Sequence, residues 1–270
     1  MKSKAIGVPY VVWMALFVVA PLVMVVVYAF TTRDGGASIA NFAEMGEYLG
    51  VFGRSFLLAA VATVICLLIG YPLAYCLARL RPSLRRAANM LIMLPMWMNF
   101  LLRTYSWVFL LERNGFLNSL LSAVGLPKLD IIGTPAAVIL GMVYNFLPFM
   151  VLPIFSVIEK IDPKVIEAAQ DLGANNFKVF SRVTLPLSLP GVLSGITMTF
   201  IPSVSTFAIS QLLGGGKYLL LGDLIEMQFL GAAYNPHLGS AISLVMMVIV
   251  LVCMAVMNRF GEGEEEAVVL

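Results

Sequence analysis

His237 is the chain's only histidine, and Cys66, Cys76 and Cys253 are its three cysteines. A zinc site or an activated thiol needs such residues at short, ligand-like spacings. Here the cysteines lie far apart in apolar runs, where a thiol serves as a small core residue. Gly214-Gly215-Gly216-Lys217 ends like a phosphate-binding loop, which requires G-x-x-x-x-G-K-[ST]. Gln211 occupies the first glycine position and Tyr218 follows the lysine, so the stretch reads as an ordinary loop. No H-E-x-x-H pattern, paired carboxylates in one apolar run or Ser/His pairing stands out. The expectation is a chain without a catalytic residue, a metal or a nucleotide site of its own.

A different set of residues is conspicuous because of where it lies. Arg103 interrupts an otherwise apolar run. A charge inside a membrane span costs about 2.5–3.5 kcal/mol on insertion scales, so it faces a bundle interior or water. Two readings of it stay open: pore lining or gate pairing, and a structural hydrogen bond or snorkelling to the outer surface. Trp97, Tyr105 and Tyr144 offer aromatic faces that can hold an amine by cation–π contact, or pack as interface and helix residues. Asn99, Asn145 and Ser205 are polar groups in or near apolar runs, and Asp223 and Glu226 are carboxylates close to one. These nine residues are the candidates for a translocation path.

The elements that must carry them follow from composition. Of 270 residues 60% are hydrophobic and 12% charged, against about 25% charged in a soluble domain. A polytopic membrane protein is implied, with the lipid bilayer as its first partner and nucleic acid as none. Six segments read as spans: 8–30, 55–79, 87–111, 133–158, 185–212 and 238–258. The first is too long for a cleavable signal and lacks a small-residue cleavage site. Lys2, Lys4, Arg79, Arg81, Arg85, Arg86, Lys160, Lys164, Lys178, Arg182 and Arg259 fall on one side, with Arg33, Arg54, Arg113, Lys128 and Lys217 on the other. The positive-inside rule then puts both termini in the cytoplasm.

Outer segments add detail. Residues 114–127 carry Phe116, Leu117, Leu120, Leu121 and Val124 at helical spacing with Gly125 as a stop, as in a surface helix. Residues 218–235 fit either a re-entrant or a surface helix. Residues 257–270 read as an acidic, solvated cytoplasmic tail.

One polar segment breaks the pattern on the cytoplasmic side. Asp162-Pro163 is a helix start, with a capping acceptor followed by proline at the first helical position. The helix would run to Leu172, and Gly173 would stop it in a left-handed conformation. A second short helix, about 175–183, would set Phe177 and Phe180 together before Leu185-Pro186 opens the next span. Two short helices around a glycine make a knob whose apolar faces need cover, from the bundle itself or from a soluble partner.

Glu167-Ala168-Ala169, three residues, Gly173, nine residues, Val183, one residue and Leu185-Pro186 resemble the EAA loop of ABC-importer permeases. Residues 94–107, 143–162 and 212–230 resemble the PotB-like branch, the permeases of bacterial spermidine/putrescine importers. The resemblance implies an all-α type I importer permease in a bacterial inner membrane, with a permease domain at 51–256 after an N-terminal helix and outer loop at 1–50. It implies that 159–184 docks on an ABC ATPase subunit, with Glu167, Ala168, Ala169, Gly173, Phe177, Phe180, Leu185 and Pro186 as coupling residues. ATP and magnesium would be bound by that ATPase pair. A second permease and an extracellular or periplasmic polyamine-binding protein would complete the assembly. The same fold with another cargo, such as an aminophosphonate, an amino acid or a metal complex, is the alternative; an intramembrane enzyme is a remote one.

Overall fold

The computed structural model describes residues 8–32, 35–231 and 234–268. Lys2, Lys4 and Arg33 of the charge pattern lie outside them. Eleven helices organise the described residues: α1 Val8–Ala29, α2 Ala40–Ala78, α3 Pro82–Trp97, α4 Phe100–Leu111, α5 Phe116–Ala123 and α6 Pro135–Ile158, then α7 Pro163–Asp171, α8 Asn176–Ser205, α9 Ala208–Leu213, α10 Leu221–Leu230 and α11 Pro236–Val268. The described residues form no strand beyond a single bridge between Thr31 and Ala37.

Five of these helices, α1, α2, α6, α8 and α11 as far as Met257, are long and apolar enough to cross a bilayer. The expected span 87–111 is not one helix. It is α3 and α4, separated where Met98 and Asn99 take extended backbone. Asn99 is the reason: its Oδ1 accepts the N–H groups of Leu101 and Leu102 at 2.9 and 3.3 Å and starts α4 afresh. The expected span 185–212 also divides. α8 ends at Ser205, and α9 restarts after Thr206 and Phe207. The break expected before Leu185 is absent, because α8 runs on through a π-helical stretch at Phe180–Thr184. α11 continues as helix to Val268, where a solvated tail is expected from composition; Glu and Ala favour helix and no proline stops it.

α2, α6 and α8 form the centre. Their close approach rests on glycine. A Cβ on Gly195 would lie 3.0 Å from the Met150 carbonyl oxygen, and one on Gly191 would lie 2.9 Å from that of Pro153. The small-residue pattern at 191–195 therefore lets α8 seat directly on the α6 backbone. Leu77, Ile158 and Phe180 share one apolar cluster, which gathers the C-termini of α2 and α6 and the start of α8 at one end. Leu58, Ala137, Leu213 and Leu220 share another at the opposite end. α1 buries only Ala29 and packs on α11.

Candidate functional site

Residues 159–184 sit at the end where α6 closes and α8 opens. Asp162 accepts the Lys164 N–H at 2.9 Å, which starts α7 as its sequence predicts. Gly173 has φ +81°. Its N–H reaches the Gln170 carbonyl at 2.8 Å and the Ala174 N–H reaches that of Ala169 at 3.0 Å, a complete Schellman stop. Asn175 caps the next helix by accepting the Lys178 N–H at 2.9 Å. Three side-chain and glycine signals, each local, thus fix a helix–turn–helix.

The two halves face different surroundings. Glu167, Ala168 and Pro186 are exposed, Leu185 is at the edge of exposure, and Leu172 is 90% and Phe177 74% exposed. Between α7 and α8 lies a groove of about 290 Å³, lined by Ala169, Leu172, Gly173 and Ala174 with Lys178 and Arg182 at its rim. Phe180 does not join Phe177, as the spacing suggests; it turns inward. Its ring meets Tyr71 and Tyr75 of α2 edge-on, at 5.8 and 5.3 Å. Three residues along a helix turn a side chain by about 300°, so 177 and 180 stand about 60° apart, and the rings of α2 cover only the second. Phe180 therefore roots the segment in the bundle, and Phe177 and Leu172 are the apolar groups left outside. Sequence reasoning missed a second root: Arg85 of α3 pairs with Glu159 at the foot of the segment, 3.2 Å apart. No spacing in the chain signals that pair, because it joins residues 74 apart.

The path candidates fall into two groups rather than one. At the α3–α4 break, Trp97 is 75% exposed and Tyr105 is exposed. Asn99 is committed to its cap. Arg103 is buried, with Nη1 donating to the Pro95 carbonyl at 2.6 Å. Its guanidinium lies 5.9 Å from the rings of Phe100 and Tyr144. No carboxylate pairs with it among the described residues, and its Nε has no hydrogen-bond partner. Tyr144 also stacks edge-on with Trp107 at 5.2 Å, beside an apolar recess of about 610 Å³. Asn145, next in sequence, is fully buried; it donates to the Gly141 carbonyl at 2.8 Å and leaves Oδ1 unpaired.

The second group surrounds the α8–α9 break. Ser205 is exposed at the end of α8. α10 begins against that break, since a Cβ on Gly222 would meet the Ser205 and Thr206 carbonyl oxygens at 2.6 Å. Its first N–H, of Leu221, donates to Ser55 Oγ of α2 at 2.8 Å. Asp223 is buried and accepts the Leu220 N–H at 2.9 Å. Burial pushes its carboxyl above the ordinary range, nearby Glu226 adds to this, and Ser210 and the Leu220 N–H oppose it. Glu226 accepts a hydrogen bond from Gln211 of α9. α4 and α9 pack together, so the two broken helices touch. Pro95 followed by Asn99 is a signal that could have marked the first break; nothing as plain marks the second. His237 sits at the start of α11 with Nδ1 3.2 Å from the Tyr28 carbonyl oxygen, a clasp to α1.

Apolar helices meeting at glycines, two interrupted spans and an exposed helix–turn–helix at one end define a helical membrane bundle with a protruding polar segment. The chain belongs to the family of binding-protein-dependent transport system inner membrane components, whose model matches residues 67–262. It is 39% identical over 257 residues to the spermidine/putrescine transport system permease protein PotB of Haemophilus influenzae, covering 92% of this chain and 90% of that one. The Escherichia coli K12 protein of the same name is 37% identical over 247 residues, 88% of this chain and 90% of that one. Among solved structures, a bacterial ABC transporter that imports alginate matches with TM-score 0.83 and 18% identity over 96% of this chain and 94% of its own. The MetNI methionine ABC transporter matches at 0.62 and 20%, over 82% and 98%. The fold is that of an ABC-importer permease, and the protein is an inner-membrane component of a bacterial transporter.

Proposed function

We propose that this chain is one of two permeases in an ATP-driven importer of spermidine and putrescine. The observation that carries the cargo is the likeness to relatives named for those polyamines over about nine-tenths of both chains. The α3–α4 break completes a sixth crossing, and both termini lie in the cytoplasm. Residues 51–256 make up the permease domain, preceded by α1 and its outer loop and followed by the acidic segment.

Residues 159–184 dock on an ATPase subunit, which binds ATP and magnesium. Glu167, Ala168, Ala169 and Gly173 present the α7 surface, Phe177 is the exposed apolar contact, Phe180 transmits motion to α2, and Leu185-Pro186 passes it into α8. The support is geometric: a rigidly capped knob with exposed Leu172 and Phe177 is rooted by Phe180. Closure of the ATPase pair on ATP would favour the outward-open arrangement, because the two ATPase states contact the knob differently. A periplasmic binding protein would then deliver the cargo to the path between the two permeases.

The path runs by the two breaks. Discontinuous helices expose backbone dipoles, a common setting for transported ions. Asp223, Glu226 and Ser205 lie at one break; Trp97, Asn99, Arg103, Tyr105 and Tyr144 lie at the other, with Asn145 behind. Uptake of labelled putrescine and spermidine into a strain deleted for this chain, and free of redundant transporters, tests the reading. Restored uptake on complementation is expected; unchanged uptake of both amines rejects polyamine as cargo.

A further inference from the structure

At the break in the third crossing, the bond Arg103 makes gives it a part beyond lining the path. α3 buries none of its residues, whereas α4 is fixed by buried Arg103, Thr104 and Leu111. The half-span α3 is thus less deeply packed than α4, with a polar tie at each end. At its start Arg85 pairs with Glu159, at the foot of the 159–184 segment. At its end the Pro95 carbonyl accepts Arg103 Nη1 at 2.6 Å across the break. The last carbonyls of α3 lie where extended Met98 ends the helix; that of Pro95 accepts the Met98 N–H at 3.3 Å, and Arg103 is its second donor. They form the negative end of a helix dipole, which attracts a cation. Arg103 is the cation that fills that place. It is 7% exposed, has no carboxylate partner among the described residues and keeps an unpaired Nε.

We propose that Arg103 is an internal stand-in for cargo: it holds the Pro95 carbonyl and locks the α3–α4 hinge until a protonated primary amine takes that carbonyl over. The amine approaches from the exposed side of the break, where Trp97 and Met98 lie open and an indole face can receive it. Displaced, the guanidinium releases α3, and the Arg85–Glu159 tie carries the change to the segment that meets the ATPase. Reciprocally, movement of that segment pulls on the lock, as linkage requires. Arg103 is a positioning residue in this scheme, and the ligand class is a primary ammonium. The scheme rests on the polyamine reading for its cargo, but the lock itself does not.

The test uses the assembled transporter in proteoliposomes, with its ATPase pair, second permease and binding protein. Arg103→Gln removes the stand-in charge. We expect cargo-free ATP hydrolysis to rise about tenfold, the population shift that loss of one charge-assisted hydrogen bond supports, and the half-saturating concentration of putrescine to fall. Arg103→Lys keeps a cation within reach of one carbonyl and should restore both values. An assembled Arg103→Gln transporter with unchanged hydrolysis and half-saturation overturns the lock, as does Arg103→Lys behaving like Arg103→Gln. If Arg103→Gln fails to assemble, a measurement with Arg103 in place decides. Met98→Cys, with the three native cysteines replaced by alanine, should label faster with a water-soluble maleimide when putrescine-loaded binding protein is added. Labelling indifferent to putrescine contradicts the proposal. Failure of the unaltered transporter to take up either amine would fall on the cargo reading instead, because the hydrolysis comparison contains no cargo.

Discussion

Gly173 and Asp223 show how much single positions hold. A Cβ on Gly173 would meet nothing within 4 Å, so a substitution there costs only the left-handed backbone, about 1–2 kcal/mol. Gly173→Ala should therefore leave the chain inserted and assembled while loosening the α7 stop, with uptake falling several-fold; normal uptake from Gly173→Val would remove the turn from the coupling scheme. Asp223 acts as a neutral-tolerant cap: Asp223→Asn keeps an acceptor for the Leu220 N–H, and Asp223→Ala loses it, at about 1 kcal/mol. Its carboxyl is held above its ordinary value by burial. The folded chain binds that proton more tightly than the unfolded chain, so its contribution is greatest in acid and falls as pH rises through the raised value. Detergent-solubilised protein should thus lose less thermal stability on going from pH 4 to pH 7 as Asp223→Asn than as the unaltered chain, a span on the order of the usual carboxylate range. An identical pH slope in both would contradict the burial.

At the scale of elements, the helix–turn–helix at 162–184 separates a root from a contact. Phe180→Ala removes two edge-on ring contacts with α2, at about 1–3 kcal/mol for a half-buried ring. It should lower thermal stability and uncouple ATP hydrolysis from uptake. Phe177→Ala, on an exposed ring, should leave stability within about 0.5 kcal/mol and weaken ATPase association instead. Reversal of these two phenotypes would show that root and contact have been exchanged. The caps of this element were legible, because Asp162, Gly173 and Asn175 act within their own turns. The surroundings of Phe180 were not, since they depend on Tyr71 and Tyr75, more than a hundred residues away. The interruption of the helix over 87–111 was hidden too. Apolar content predicts a crossing, but whether its helix is continuous turns on Asn99 choosing backbone N–H groups over water.

For the whole molecule, apolar composition sufficed for a helical membrane bundle, and the Glu-Ala-Ala-to-Pro spacing sufficed for its family. Contacts between distant elements stayed hidden: Ser55 to Leu221, Arg85 to Glu159, and α4 against α9. These make the chain one mechanical body, with the exposed knob at one end and the α10 cap at the other. Six crossings would place residues 114–127 and 218–231 on the side opposite to 159–184. In the proposed transporter a companion ATPase works this bundle through that knob. Cysteine at position 177, in a chain whose native cysteines are replaced, tests it directly by bifunctional thiol cross-linking in membrane vesicles of both orientations. Formation of an adduct with the ATPase subunit, and protection from impermeant reagent in right-side-out vesicles, is expected. Labelling from the periplasmic face, or an assembled complex in which residue 177 cross-links to no ATPase, would contradict it.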